Sequence, residues 1–303
     1  MIVALAATAP SLARSMQLTL SPFRYGSRDP TTRLTSREFV RATLTPDGPG
    51  TLRIVWGTDR AGIGAEAWGD GAAWLLERAR GYTGGGDVAV DLPDVHPLVT
   101  RAARDHPGLR IGASGGLYHE LLPTIIAQRI TSGEAARQWG RLCLALGEPA
   151  PGPFPGLRLP PSPKALARRP AWWFHPLGIE TKRARALTAV AAHARHLWEW
   201  AGAGPAHTAA RLALVRGVGP WTIGSVSGPA LGDPDAVAVG DYHLANMVGW
   251  AMAGEPRATD DRMLELLEPF RGQRGRVIRL IGLAGSRVPA FGPRKRILPM
   301  HRW

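Results

Sequence analysis

The sequence holds a single cysteine, Cys143, in 303 residues. That excludes a disulfide framework, a four-cysteine zinc site and a cysteine-ligated iron–sulfur cluster. Lysine is almost as scarce: Lys164, Lys182 and Lys295 are all there are, and none falls between residues 183 and 294. No acidic residue follows Glu268. The nine histidines form no HExxH and no Cys/His spacing, so they read as surface or capping residues, and neither metal nor cofactor is expected. Gly84-Gly85-Gly86 lacks the lysine of a phosphate-binding P-loop and reads as a loop. No apolar run reaches the roughly twenty residues that span a bilayer. The apolar residues 1–10 lack the cationic start of a signal peptide and read as an overlong start or a floppy terminus. A soluble, cytosolic monomer with no membrane association is the expectation.

What is present is basic. Apolar residues at 45% and charged residues at 20% are globular values, and the chain can bury one large core or two modest ones. Net charge is +13, and nine of those charges follow Glu268: Arg271, Arg274, Arg276, Arg279, Arg287, Arg294, Lys295, Arg296 and Arg302. A coding bias that replaces lysine by arginine makes no net charge, so this excess points to a polyanion, with a membrane surface or mere solubility as alternatives.

Two regions differ in pattern. Residues 38–45 and 51–56 alternate like strands around a turn at 46–50, and 62–68 fits a third strand. Helical spacing follows at 71–82 and again at 94–105, with Asp94 as N-cap. From Leu117 onward strand signals vanish. Helices are expected near 120–131, 133–146, 181–201, 206–215, 221–231, 242–253, 260–269 and 274–284, with capped starts at Thr131 and Thr259. Residues 149–163 hold seven prolines, which suits a linker or a long surface loop. Trp172-Trp173-Phe174-His175 reads mainly as core packing, with base stacking as the alternative, and Cys143 reads as a buried small hydrophobe.

The most informative stretch is Leu214-Val-Arg-Gly217-Val218-Gly219-Pro-Trp221-Thr222. Two glycines one residue apart permit a tight turn, and Pro220 suits the first position of a following helix. Such a turn can present backbone N–H groups to one phosphate without reading sequence, although an ordinary helix-to-helix turn looks the same. Some twenty residues later comes Gly240-Asp241-Tyr242-His243, where Asp241 alone reads as a helix N-cap.

Taken jointly, the hairpin, Gly-Pro-Trp-Thr, the spacing and Gly-Asp-Tyr resemble the helix-hairpin-helix DNA glycosylases of base-excision repair, in their 3-methyladenine DNA glycosylase II branch. Gln128-Arg129-Ile130 is similar to the stretch of that family that probes the minor groove. Leu177-Gly178-Ile179 and Lys182-Arg183-Ala184 resemble the turn and helix start before the hairpin. The resemblance covers most of residues 20–285. It implies an α+β domain resembling the TATA-binding protein over 16–112, following a flexible 1–15. A mainly α-helical helix-hairpin-helix glycosylase domain over 113–287 and a basic tail over 288–303 complete the expected layout.

The resemblance also implies roles. Gly217, Val218, Gly219, Thr222, Gln128 and Arg129 would contact DNA. Asp241 would be the catalytic carboxylate, stabilising the oxocarbenium-like sugar or orienting water; the residues do not separate those roles. Trp221, Tyr242 and Ser225 would line a pocket for the extruded base, while Trp221 is equally compatible with core packing. The implied partner is double-stranded DNA with damaged bases, and the implied reaction is hydrolysis of the N-glycosidic bond of alkylated purines. A catalytically silent DNA-binding or lesion-sensing protein and a bifunctional oxidised-base glycosylase/lyase are the alternatives. Three departures stand out. Ser225 replaces an aromatic pocket wall, Arg129 replaces an apolar wedge, and Pro229 is expected to kink or stop its helix.

Overall fold

The structure, a computed structural model, describes residues 12–57, 62–88, 90–285 and 288. Helix α1 (Leu12–Leu20) leads through a 3-10 turn at Ser21–Phe23 into an antiparallel meander of β1 (Thr32–Leu34), β2 (Glu38–Thr45), β3 (Gly48–Trp56) and β4 (Ile63–Trp68), in that spatial order. Part of the expected flexible start, residues 12–15, is therefore helical. The β2–β3 turn is only Pro46 and Asp47, tighter than 46–50, because Gly48 adopts a φ of +131° and pairs with Thr45.

Side-chain alternation gives the sheet two covered faces. Phe39, Leu52 and Ile54 pack on Leu75, Ala79 and Tyr82 of α2 (Ala72–Tyr82). Val40 and Ala42, on the other face, meet Leu157 and Leu159. The proline-rich stretch is thus a strap packed on the sheet, not a free linker. Helix α3 (Pro97–Asp105) begins after His96, not at Asp94; Asp94 instead accepts the Thr100 hydroxyl at 2.5 Å.

The rest is helical: α4 (Leu117–Ala127), α5 (Ser132–Leu146), α6 (Pro163–Ala167), α7 (Thr181–Ala192), α8 (Ala194–Gly202), α9 (Pro205–Leu212), α10 (Pro220–Leu231), α11 (Leu244–Ala253), α12 (Asp260–Leu267) and α13 (Arg274–Leu283). Thr131 and Thr259 cap α5 and α12 by accepting from the N–H groups of Glu134 and Arg262. The single helix expected over 181–201 is broken at His193, whose backbone leaves the helical region and whose Nδ1 bonds to the Ala189 carbonyl. Of the aromatic cluster, Phe174 is fully buried, Trp173 lies edge-on to it beneath the Arg169 guanidinium, and Trp172 is solvent-exposed. Cys143 is buried in the main helical core, as its apolar flanks suggested.

Helix α4 is the hub. Leu121, Leu122 and Ile125 meet Trp139, Leu187 and Val226 from α5, α7 and α10. A second cluster joins Val99 of α3 to Val248, Met263 and Val277 of α11, α12 and α13. Because α4 is buried all round, its polar side chains need internal partners. Glu120 pairs with Arg41 of β2 at 2.7 Å and accepts the Ser114 hydroxyl at 2.9 Å. His119 lies between the hydroxyls of Thr43 (2.9 Å) and Thr31 (3.2 Å); its burial, with Arg41 nearby, pushes its pKa well below the imidazole range and keeps it neutral.

This seam makes a stability prediction. Glu120→Ala strands the Arg41 guanidinium in the interior and should cost about 3–5 kcal/mol in denaturant unfolding. The double variant Arg41→Met/Glu120→Leu should recover most of that loss, since it removes both charges. A double variant as unstable as the single one would refute the pairing as the source.

Candidate functional site

The chain between α9 and α10 forms the hairpin. Gly217 has a φ of +88°, and a Cβ there would stand 2.5 Å from the Ala186 Cβ of α7. Both backbone and space therefore demand glycine. Gly219 differs: it is extended (φ −109°, ψ −177°) with nothing within 4 Å of a Cβ, so the fold itself would accept a side chain. Pro220 opens α10.

The predicted DNA contacts divide into two groups. Val218 turns inward: it is buried, and its N–H donates to the Val215 carbonyl. Thr222 is buried as well, its hydroxyl accepting from the Gln128 Nε2 at 3.0 Å. Gln128 also donates to the Gly217 carbonyl at 2.9 Å. These three residues thus brace the hairpin from within, with Gln128 still partly exposed. Gly217 is exposed and Gly219 partly so, and Arg129, beside Gln128, is exposed too. Arg129 has a φ of 61°, the sole non-glycine residue with a positive φ among the described residues.

Asp241 joins two elements. Its Oδ2 accepts from the Trp221 Nε1 at 2.9 Å, and its Oδ1 accepts from the N–H groups of His243 (2.9 Å) and Leu244 (3.0 Å) at the start of α11. The capping geometry expected of an isolated aspartate is present. A carboxylate has about four acceptor sites, however, and three donors leave one. The loop that carries Asp241 is wedged between two helices. Gly224 of α10 and Gly275 of α13 each approach its backbone so closely that a Cβ would stand 2.0 Å from the Val237 carbonyl oxygen or 2.7 Å from that of Ala236.

Asp235 pins the same loop. Its carboxylate accepts from the N–H groups of Gly272 (2.8 Å) and Arg274 (3.0 Å) and pairs with the Arg274 guanidinium. Partial burial raises its pKa, but these donors outweigh that and hold the carboxyl below its usual range.

Asp241 opens onto a cavity of about 390 Å³ between the N-terminal segment, α10, α11 and α13. Phe23, Ile111, Ser225, Met247 and Ile278 contribute to its walls, together with Asp233, His243 and Arg279. The structure therefore brings Ser225 and Asp241 together, with the Ser225 hydroxyl donating to the Trp221 carbonyl at 2.7 Å. Trp221 is linked to the cavity through Asp241. Tyr242 is not: its ring is 80% exposed, outside the cavity walls, edge-on to His243. The turn after Asp241 sends residue 242 outward, so the base-pocket position expected for Tyr242 is not among the cavity walls. Pro229 is carried within α10, which ends two residues later at Leu231 and a left-handed Gly232.

The basic C-terminal stretch is also redistributed. Arg274 is held by Asp235, Arg276 by a buried pairing with Asp87, and Arg271 by Glu268. Arg279 donates to the carbonyls of Leu18 and Arg110. Arg274, Arg276 and Arg279 thus tie α13 to its neighbours, whereas Arg271 makes only an exposed local pair. Arg287, Arg294, Lys295, Arg296 and Arg302 lie outside the described residues. Among the described residues no cluster of His, Cys, Asp or Glu could hold a metal, and no helix is long and apolar enough to cross a membrane.

No family model matches the sequence, and no curated protein does. The fold, in contrast, is that of solved DNA glycosylases. It is similar to a 3-methyladenine DNA glycosylase from Archaeoglobus fulgidus (TM-score 0.72, 16% identity, 93% of this chain and 97% of that one). It is also similar to the Clostridium acetobutylicum 8-oxoguanine glycosylase/lyase bound to duplex DNA (0.62, 12%, 88% and 89%). A 3-methyladenine DNA glycosylase from Schizosaccharomyces pombe bound to abasic DNA matches a smaller part (0.52, 15%, 65% and 96%).

Two outcomes test this geometry. Gly217→Ala should lower Tm, whereas Gly219→Ala should leave it unchanged. A drop in the Tm of Gly219→Ala would contradict the extended conformation. Secondly, Asp235→Asn should destabilise at neutral pH. Since the folded carboxyl has a lowered pKa, its stabilisation is complete above the unfolded value and lost on acidification. The gap to the wild type should therefore close as pH falls below about 4, measured by urea unfolding.

Proposed function

We propose that this protein is a monofunctional DNA glycosylase that hydrolyses the N-glycosidic bond of alkylated purines, of the 3-methyladenine and 7-methylguanine type, in duplex DNA. The observation that carries this reading is Asp241, clamped by Trp221 and the start of α11 and opening onto the cavity beside the braced hairpin. The 3-methyladenine glycosylases among the proteins of similar fold support it.

The chemistry needs little from the protein. As the bond from C1′ to the base nitrogen breaks, its electron pair leaves with the base, and positive charge builds on the sugar. A fixed carboxylate stabilises that charge until water adds at C1′ and loses a proton. Three N–H donors keep Asp241 from rotating, so no reorganisation is spent when the charge develops. An alkylated purine is already cationic and departs without a general acid. Gly217 and Gly219, with the N-terminus of α10, would hold a phosphate through backbone N–H groups. Arg129, exposed, stands where the family resemblance places an apolar wedge residue.

Strand cleavage needs an amine to form a Schiff base with the sugar. By the family resemblance, the lysine of such enzymes would stand where this chain has Trp221. Lys164 and Lys182 are exposed and absent from the cavity walls, and Lys295 lies outside the described residues.

Asp241→Asn tests the assignment. Its Oδ1 can still accept at the start of α11, but its Nδ2 donors confront the Trp221 N–H, and the charge is gone. Base release from methylated DNA should fall by roughly a hundredfold or more, with DNA affinity retained and a modest drop in Tm from the lost Trp221 hydrogen bond. The fall should be larger for neutral damaged bases than for cationic ones. Wild-type rates in the Asn variant would remove Asp241 from the chemistry, and no release by the wild type would favour a silent DNA-binding protein. The strand should be left intact at the abasic site, with no borohydride-trapped adduct. An adduct lost on mutating one of the three lysines would make the enzyme a lyase.

A further inference from the structure

The loop after α10 begins and ends with a carboxylate that lines the cavity, Asp233 at one end and Asp241 at the other. Most polar groups in the cavity are committed elsewhere. Asp241 has three donors, the Ser225 proton goes to the Trp221 carbonyl, and Arg279 is tied through Nη1 and Nη2 to the carbonyls of Arg110 and Leu18. Asp233 is different. Its Oδ1 accepts from the Asp235 N–H at 2.9 Å, while its Oδ2 has no hydrogen-bond partner among the described residues. Phe23 is the sole Phe, Tyr or Trp side chain in the walls, and it is almost fully buried. The cavity therefore offers little π-surface but does offer an uncommitted carboxylate oxygen.

We propose that Asp233 reads the extruded base, selecting purines that carry positive charge or present an N–H donor to its Oδ2. The inference rests on the glycosylase reading above and gives its pocket a chemical criterion. A base with neither charge nor donor leaves a carboxylate desolvated and unpaired, the arrangement by which a polar site rejects an analogue lacking the matching group. Burial raises the pKa of Asp233, in keeping with a carboxylate that a cationic or N–H-bearing base would help to satisfy. His243, also in the walls, is exposed.

The test compares two purines in duplex DNA: 7-methylguanine, cationic with N–H donors, and 1,N6-ethenoadenine, neutral and without them. Asp233→Asn keeps the Oδ1 acceptor for Asp235 and removes the charge. Release of 7-methylguanine should fall tenfold or more, with ethenoadenine release, Tm and affinity for an abasic-analogue duplex unchanged. Equal loss for both bases, or undiminished 7-methylguanine release, overturns the proposal while leaving the glycosylase reading intact. If ethenoadenine is not released at all, abasic-duplex affinity becomes the reference, and a parallel fall in that affinity overturns the proposal. Should the Asn variant lose Tm, Asp233→Ser, which also keeps an acceptor for Asp235, takes its place with the same outcomes. A wild type that releases neither base overturns this inference together with the glycosylase reading.

Discussion

Helix α4 is buried on every side, and the need to satisfy its polar groups without water organises the rest of the molecule. Near its N-terminus Glu120 and His119 find partners in Arg41, Thr43 and Thr31, which locks the sheet onto the helical core. Just beyond its C-terminus Gln128 holds the Gly217 carbonyl and the Thr222 hydroxyl. Arg183 of α7 donates to the Ile126 carbonyl at 2.7 Å and to Gln138 at 2.8 Å, so the end of α4 is fixed to α5 and α7 as well. One helix thus sets the position of the hairpin relative to the sheet. An unpaired charge or amide at either end would cost far more than a typical surface contact.

The loop from α10 to α11 depends on that placement. It lies in a slot that exists because Gly224 and Gly275 carry no side chains, and Asp235 ties it to the start of α13. Its terminal carboxylates consequently face a cavity with one wall from the N-terminal segment and the others from the helical region. Under the glycosylase function proposed above, rigidity here has a chemical purpose. A carboxylate intended to meet a developing positive charge gains most when its orientation is fixed before the reaction. The three donors to Asp241 provide that orientation.

Part of the basic character of the chain serves the fold. Arginines of α13 that looked like an electrostatic handle are engaged in the interior: Arg276 with Asp87, Arg274 with Asp235, and Arg279 with two carbonyls. Arginine suits this use because its planar, five-donor head satisfies several acceptors at once. Composition alone could not distinguish a structural arginine from a DNA-facing one, since both contribute equally to net charge.

Local patterns in the sequence already determined much. Alternation marked β2, β3 and β4, the caps at Thr131 and Thr259 marked two helix starts, and Gly217 with Pro220 marked the turn before α10. These features depend on backbone conformation and neighbours within a few residues, which the sequence states directly. The aspartate twenty residues after Trp221 was legible only through family resemblance, because an N-cap reads the same. Tertiary structure decided everything that depends on distant neighbours. It made the proline-rich stretch a strap, broke the long helix at His193, turned Val218 and Thr222 inward and Tyr242 outward, and brought Asp233 into the cavity. The partners responsible, Ala186 for Gly217, Gln128 for Thr222 and Arg274 for Asp235, lie some thirty to ninety residues away in sequence. No local pattern encodes which distant side chain will fill or vacate a given space; close packing of the folded core does.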